Sequence, residues 1–286
     1  MKPALRIIPR LDIKGPNLVK GVHLEGLRVL GRPEDFAEFY YKQGADELIY
    51  QDVVASLYGR NSLYDMISRT ARKIFIPLTV GGGIKCVDDI YRILQAGADK
   101  VMINTSAVAN PNIISESANL FGKSTIVVGI EAIHKNNDEY FISTDSGRNT
   151  VKKRVVEWAK EAEDMGAGEI SLTSVDAEGC GKGFDLNLIE QVLDVVSIPV
   201  VAHGGPGKNQ HVLDLVNKLP VSGVAISSLF HYDCIKNKIF SNNYEGEGNV
   251  DFLCSNRILT NIESSSIGEL RAFLLSKNIY CREYEK

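Results

Sequence analysis

The chain has no surplus of positive charge: its 286 residues carry 32 Lys+Arg against 36 Asp+Glu, a formal net charge of −4. Sequence-blind binding to nucleic acid rests on cations that displace counterions from phosphates, so this balance argues against it. Long hydrophobic runs are also missing. A stretch such as Ile198 to Ala202 stops far short of the roughly 18 apolar residues that a membrane span requires. The opening residues, Met1-Lys2-Pro3-Ala4-Leu5-Arg6, lead straight into a strand-like segment without a signal-type apolar stretch, and a cytoplasmic location is expected. Cysteine is sparse and scattered: Cys86, Cys180, Cys234, Cys254 and Cys281 show no close pairing, which suits reduced thiols better than disulfides or zinc. Tryptophan occurs once, as Trp158, and is expected to pack a helix against a sheet.

What is present is an ordinary globular composition, 44% hydrophobic and 24% charged, enough for a full-sized core. Short β-branched runs alternate with longer amphipathic ones. Residues Arg6–Ile13, Glu47–Val53, Ile74–Val80, Lys100–Ile103, Thr125–Ile130, Glu169–Thr173, Pro199–Ala202 and Gly223–Ile226 read as strands. Residues Pro33–Gln43, Ser62–Lys73, Val87–Gln95, Pro111–Phe121, Arg154–Met165, Leu186–Val195, Gln210–Lys218 and Ile267–Lys277 read as helices. Eight strands alternating with eight helices predict an α/β fold, one (β/α)8 TIM barrel over residues 1–286, with a doubly wound open sheet as the competitor.

An internal repeat favours the barrel. Gly44-Ala45-Asp46-Glu47-Leu48 returns as Gly166-Ala167-Gly168-Glu169-Ile170, and Gly82-Gly83 returns as Gly204-Gly205, both at a spacing of 122 (166 − 44 and 204 − 82). Half-barrels of about 1–123 and 124–286 follow. Two stretches fall outside the repeat: Ala132 to Lys153, read as a polar loop or small hairpin, and a polar insertion at about 236–266 whose Ser241 to Gly248 portion reads as solvated and mobile.

Active sites of such barrels lie beyond the C-terminal ends of the strands. Gly81-Gly82-Gly83, followed one strand later by Asn104-Thr105, offers free amides and side-chain donors for an anion, and Gly204-Gly205 with Ser227-Ser228 echoes it in the seventh and eighth loops. Two such cups suit a substrate with a phosphate at each end, the competing reading being tight turns alone. Asp12 ends the first strand and Glu131 the fifth, which places two carboxylates on opposite sides of the mouth, suited to acid/base work or to plain loop capping. Lys20 lies in a long first loop, a candidate lid. His23, His134 and His231 show no metal-ligand spacing, and surface or loop roles are expected for them. Arg6, Glu47, Lys100 and Glu169 begin strands one, two, four and six. They ring the bottom rim either as stabilising ion pairs or as a gate.

Across about residues 4–234 and from 267 onward the chain resembles the HisF family, the cyclase subunit of imidazole glycerol phosphate synthase. The resemblance rests on Arg6-Ile7-Ile8-Pro9, Leu11-Asp12, Val19-Lys20-Gly21, Gly44-Ala45-Asp46-Glu47-Leu48, Pro77-Leu78-Thr79-Val80-Gly81-Gly82-Gly83-Ile84, Ala98-Asp99-Lys100-Val101, Val156-Glu157-Trp158-Ala159-Lys160 and Gly166-Ala167-Gly168-Glu169-Ile170. It implies that ammonia from a HisH-like glutaminase, the other half of a heterodimer, passes the Arg6, Glu47, Lys100 and Glu169 gate. At the top it meets a bis-phosphorylated ribulosyl-aminoimidazole carboxamide, and cyclisation with C–N cleavage yields imidazole glycerol phosphate and aminoimidazole carboxamide ribotide. No metal or redox cofactor is implied. By the same resemblance Asp12 is one catalytic carboxylate, Lys20 the lid lysine, and Gly82, Asn104 and Thr105 one phosphate site. Gly179, Gly205 and Ser228 match the other, and Gly83, Asp176, Gly204 and Ser227 are expected beside them as substrate-binding residues. The chain departs from the family at Glu131, Arg10, Glu178 and His203, which stand where an aspartate, a cysteine, an aspartate and a small residue are expected. Those departures keep two other readings open: a paralogue that delivers ammonia for amidination of a surface sugar, and a non-catalytic subunit that only activates its glutaminase.

Overall fold

The computed structural model describes residues 3–54, 61–135, 139–237 and 261–284. Eight parallel strands close into a barrel: β1 (Arg6–Lys14), β4 (Leu48–Asp52), β5 (Leu78–Gly81), β6 (Lys100–Ile103), β7 (Ile126–His134), β10 (Glu169–Ser174), β11 (Val200–His203) and β12 (Gly223–Ile226). Each pairs with the next in chain order. β12 returns to β1 in register Arg6↔Gly223 to Pro9↔Ile226, and β7 pairs β10 from Glu169↔Val127 onward. Closure leaves no edge among the eight. The open-sheet alternative is thereby excluded.

Outside the barrel lie α1 (Pro33–Lys42), α2 (Asn61–Ala71), α3 (Val87–Gln95), the short α4 (Thr105–Ala109), α5 (Asn112–Phe121), α6 (Val155–Asp164), α7 (Leu186–Leu193), α8 (Asn209–Lys218), α9 (Ser228–Lys236) and α10 (Ile267–Ser276). Their starts are written locally. Pro33 opens α1, where its missing N–H costs nothing; Asp185 accepts from Leu188 N–H at the head of α7; Ser266 and Glu269 form a reciprocal capping box on α10. Trp158 is fully buried in α6 as expected, inside the large apolar layer between helices and strands, with Lys153 Nζ 4.4 Å from its ring.

Two antiparallel additions stand beyond the C-terminal ends of the barrel strands. The long first loop is a hairpin, β2 (Asn17–Val22) and β3 (Glu25–Gly31), paired to β1. Residues 132–153 form the second, in which β7 runs on to His134 and pairs β8 (Tyr140–Thr144), followed by β9 (Asn149–Arg154).

Some sequence expectations need correction. The helix that follows the eighth strand is α9, not the Ile267 segment, which is a second helix. The weak amphipathicity of Ser228–Lys236 hid it, because seven of its nine residues are buried. His231, expected at the surface or in a loop, is therefore a core residue. Its Nδ1 lies 2.6 Å from Tyr40 Oη and burial pushes its pKa down to about 3. The third strand begins at Leu78 rather than Ile74. Ser241 to Gly248, and most of the insertion around them, lie outside the described residues.

Candidate active site

From bottom to top the barrel interior is layered. The lowest layer is the ring foreseen in the sequence: Arg6 Nη1 meets Glu47 Oε1 at 2.8 Å and Glu169 Oε2 at 2.7 Å, while Lys100 Nζ meets Glu47 Oε2 at 3.2 Å and Glu169 Oε2 at 3.5 Å. Each cation touches both carboxylates. Arg6 loses hydration there, which lowers its pKa, but the two glutamates outweigh that loss and raise it. Above the ring lies an apolar collar of Ile8, Ile49, Met102, Val127, Val201 and Ala225. Period-two alternation along each strand then brings polar residues back into the bore.

That upper layer holds the opposed carboxylates. Arg10, fully enclosed, donates from Nε to Asp12 Oδ1 at 2.9 Å and from Nη1 to Thr173 Oγ1 at 3.1 Å. Burial alone would raise the Asp12 carboxyl, yet the charges of Arg10 and Lys20 and the Arg10 hydrogen bond hold it below the usual carboxylate range. Glu131, across the barrel, accepts from Gly147 N–H at 2.9 Å but has no ion-pair partner among the described residues; burial pushes it up to about 7, against the weaker pull of Arg10 and Gly147. One carboxyl is held below its ordinary range while the other is raised to about 7, a split of the kind that suits an acid/base pair. Arg10 feels both. Thr173 and Gly147 went unforeseen; Thr173 could have been found, because it ends the sixth strand as Glu131 ends the fifth.

The first cup opens into a cavity of about 210 Å³ lined by Gly82, Gly83, Asn104, Thr105, Ser106, Arg10 and Glu131. Gly82 has φ +102°, and a Cβ there would meet Asp52 O at 2.2 Å, so the turn admits no side chain. The second cup repeats this device. Gly204 has φ +92°, and its Cβ would meet Ser174 O at 2.6 Å, with Ser174 standing 122 residues after Asp52 (174 − 52). This cup encloses about 10 Å³ among Gly179, Gly204, Gly205, Ser227, Ser228, Glu178 and His203. Ser227 Oγ is already committed to Arg10 O at 2.8 Å.

Lys20, on β2 of the hairpin, is buried and paired with Glu178, whose other carboxylate oxygen accepts from Leu24 N–H at 3.1 Å. His23 N–H donates to Glu178 O at 3.0 Å. The hairpin tip, with His23 and Leu24 both at positive φ, is thus pinned to the loop after β10. Of the sequence-predicted residues, Gly82, Gly83, Asn104, Thr105 and Glu131 line the first cavity and Gly179, Gly204, Gly205, Ser227 and Ser228 the second. Asp176 lies exposed outside both cups, where Oδ2 accepts from His134 N–H at 2.7 Å.

Comparison with known proteins places this geometry. A family model described as "Histidine biosynthesis protein" matches residues 6–236, which takes in every barrel strand, both cups and the ring. The chain belongs to the histidine biosynthesis protein family. Among curated members of that family it is similar to the imidazole glycerol phosphate synthase subunit HisF of Legionella pneumophila, 58% identical over 71% of this chain and 96% of that protein. It is similar to the HisF subunits of Bacillus cereus strain G9842, 46% identical over 80% of this chain and 91% of that protein, and of Methanopyrus kandleri, 44% identical over 81% and 92%. Among the described residues of this family member no helix is long and apolar enough to cross a membrane, and no group of three or more His, Cys, Asp or Glu could hold a metal ion.

Proposed function

We propose that the chain is the cyclase subunit of imidazole glycerol phosphate synthase, the function carried in the names of its curated relatives. It uses ammonia from a glutaminase partner to convert a bis-phosphorylated ribulosyl-aminoimidazole carboxamide into imidazole glycerol phosphate and aminoimidazole carboxamide ribotide. The observation that carries the reading is the order of layers along one barrel: a charged ring at the bottom, an apolar collar, then a split carboxylate pair between two glycine-lined cups. A ring of four mutual ion pairs excludes a small neutral molecule until one pair opens, and an apolar collar passes neutral ammonia more readily than charged ammonium.

At the mouth, the cups hold the two phosphates and fix the chain of the substrate between Asp12 and Glu131. Protonated Glu131 donates to the oxygen that develops charge as the ammonia lone pair adds to the ribulosyl carbonyl. Ionised Asp12 takes the proton that the new nitrogen sheds. Glu131 reaches one methylene further than the aspartate of the resemblance, and Arg10 fixes Asp12 in its charged form, so acid and base roles divide between them. The sugar-amidination and scaffold readings gain nothing from the comparisons.

The test is turnover without a partner. Purified chain given the ribulosyl substrate and high ammonium at alkaline pH is expected to release aminoimidazole carboxamide ribotide; a correctly folded sample that releases none refutes the reading. Addition of a cognate glutaminase and glutamine is expected to replace the ammonium requirement.

A further inference from the structure

His203 stands at the end of β11, and its ring is buried against the second cup. Its Nδ1 lies 2.9 Å from Ala225 O. A carbonyl only accepts, so Nδ1 carries the proton and Nε2 presents a lone pair. That Nε2 is buried and has no hydrogen-bond partner among the described residues. Arg10, the nearest guanidinium influence on the ring, spends Nε and Nη1 on Asp12 and Thr173, and Glu178 spends its oxygens on Lys20 and Leu24. Burial, with Arg10 close by, pushes the imidazole down to about 4, so the ring is neutral at physiological pH. A buried acceptor left unmet is destabilising, and a ligand that supplies a donor recovers that loss.

The donor is not the phosphate. Above pH 7 a phosphate monoester is mostly dianionic, and its oxygens are acceptors that repel another lone pair. The donors left are hydroxyls on the carbon chain that carries the phosphate. We propose that His203 Nε2 accepts a hydrogen bond from such a hydroxyl, which makes His203 a specificity-determining residue for a polyol phosphate over a plain alkyl phosphate. The assignment rests on the reading of the Gly204 and Ser228 turns as a phosphate cup, and it adds the chemical class of the end bound there. A site built to bond a hydroxyl rejects the analogue that lacks it far more strongly than an apolar pocket rejects an extra one.

The test uses the full chain at pH 8, glycerol 3-phosphate and propyl phosphate as probes, and two readouts: affinity by calorimetry and the ¹⁵N shift of His203 Nε2. Wild type is expected to prefer glycerol 3-phosphate by about tenfold, with Nε2 shifting for that probe alone. His203→Ala is expected to lose the preference while retaining propyl phosphate affinity, and His203→Gln, which returns an acceptor, to regain part of it. Equal affinities in wild type, or an Nε2 shift produced by both probes alike, would place the contact on the phosphate and overturn the proposal while leaving the cup. Binding of neither probe would overturn the cup itself and the assignment with it. The wild-type measurement stands even where a variant fails to fold.

Discussion

Replacing Glu131 with Gln removes the one titration that burial displaces furthest in the carboxylate pair, and its effect on stability follows from linkage. The folded carboxyl is pushed up to about 7 from an ordinary 4.5. Between those values the folded chain holds a proton that the unfolded chain has released, so wild-type stability falls as pH rises from about 4.5 to about 7 and is flat above. Each pH unit in that window costs about 1.4 kcal/mol, and integration from pH 5 to pH 8 gives roughly 2–3 kcal/mol. Glu131→Gln keeps an oxygen for Gly147 N–H and carries no charge, so it escapes this loss. Urea unfolding of both proteins at pH 5 and pH 8 is the assay. The variant is expected to gain roughly 2–3 kcal/mol on wild type between the two pH values, with equal denaturant slopes, while cyclase turnover is lost. A difference between the proteins that does not change with pH would refute the assigned environment of Glu131, and retained turnover would remove it from the chemistry.

Asp12→Asn is expected to abolish turnover per folded molecule while substrate affinity stays within a few-fold, because the phosphates supply binding and Asp12 supplies proton transfer; steady-state kcat and KM measured together decide it. Glu178→Ala strands Lys20 as a buried unpaired ammonium and is expected to cost about 3–5 kcal/mol in chemical denaturation. The double replacement Lys20→Met, Glu178→Met should recover much of that loss, whereas additive losses would contradict a buried pair.

Much of this protein is written in local pattern. The strand runs and the 122-residue spacing are enough to draw the barrel, and the ring could be named because its four members all begin strands. Position at a strand end likewise singles out Asp12 and Glu131. What sequence hides is whatever depends on partners far apart in the chain. Nothing near Lys20 announces Glu178, 158 residues away, and nothing near Arg10 announces Thr173, 163 residues away. Helix α9 escaped because a helix buried on nearly every side has no amphipathic stripe, and the loss of α9 misplaced His231. Asp176 shows the opposite failure: a short loop motif pulls it toward the cup, yet its carboxylate is taken by the neighbouring hairpin.

Lys100→Ala tests most directly whether the bottom ring meters ammonia into the barrel. Lys100 is the more loosely held cation of the ring, at 3.2 and 3.5 Å from its carboxylates, so its removal opens the ring while Arg6 keeps both glutamates paired. Glutamine-dependent and ammonium-dependent product formation are measured on one sample in complex with a glutaminase, beside its melting temperature. The ammonium-dependent rate is expected to stay near wild type while the yield of product per glutamine hydrolysed falls. Parallel loss of both rates, tracking a lower melting temperature, would show the ring to be structural and would contradict the account.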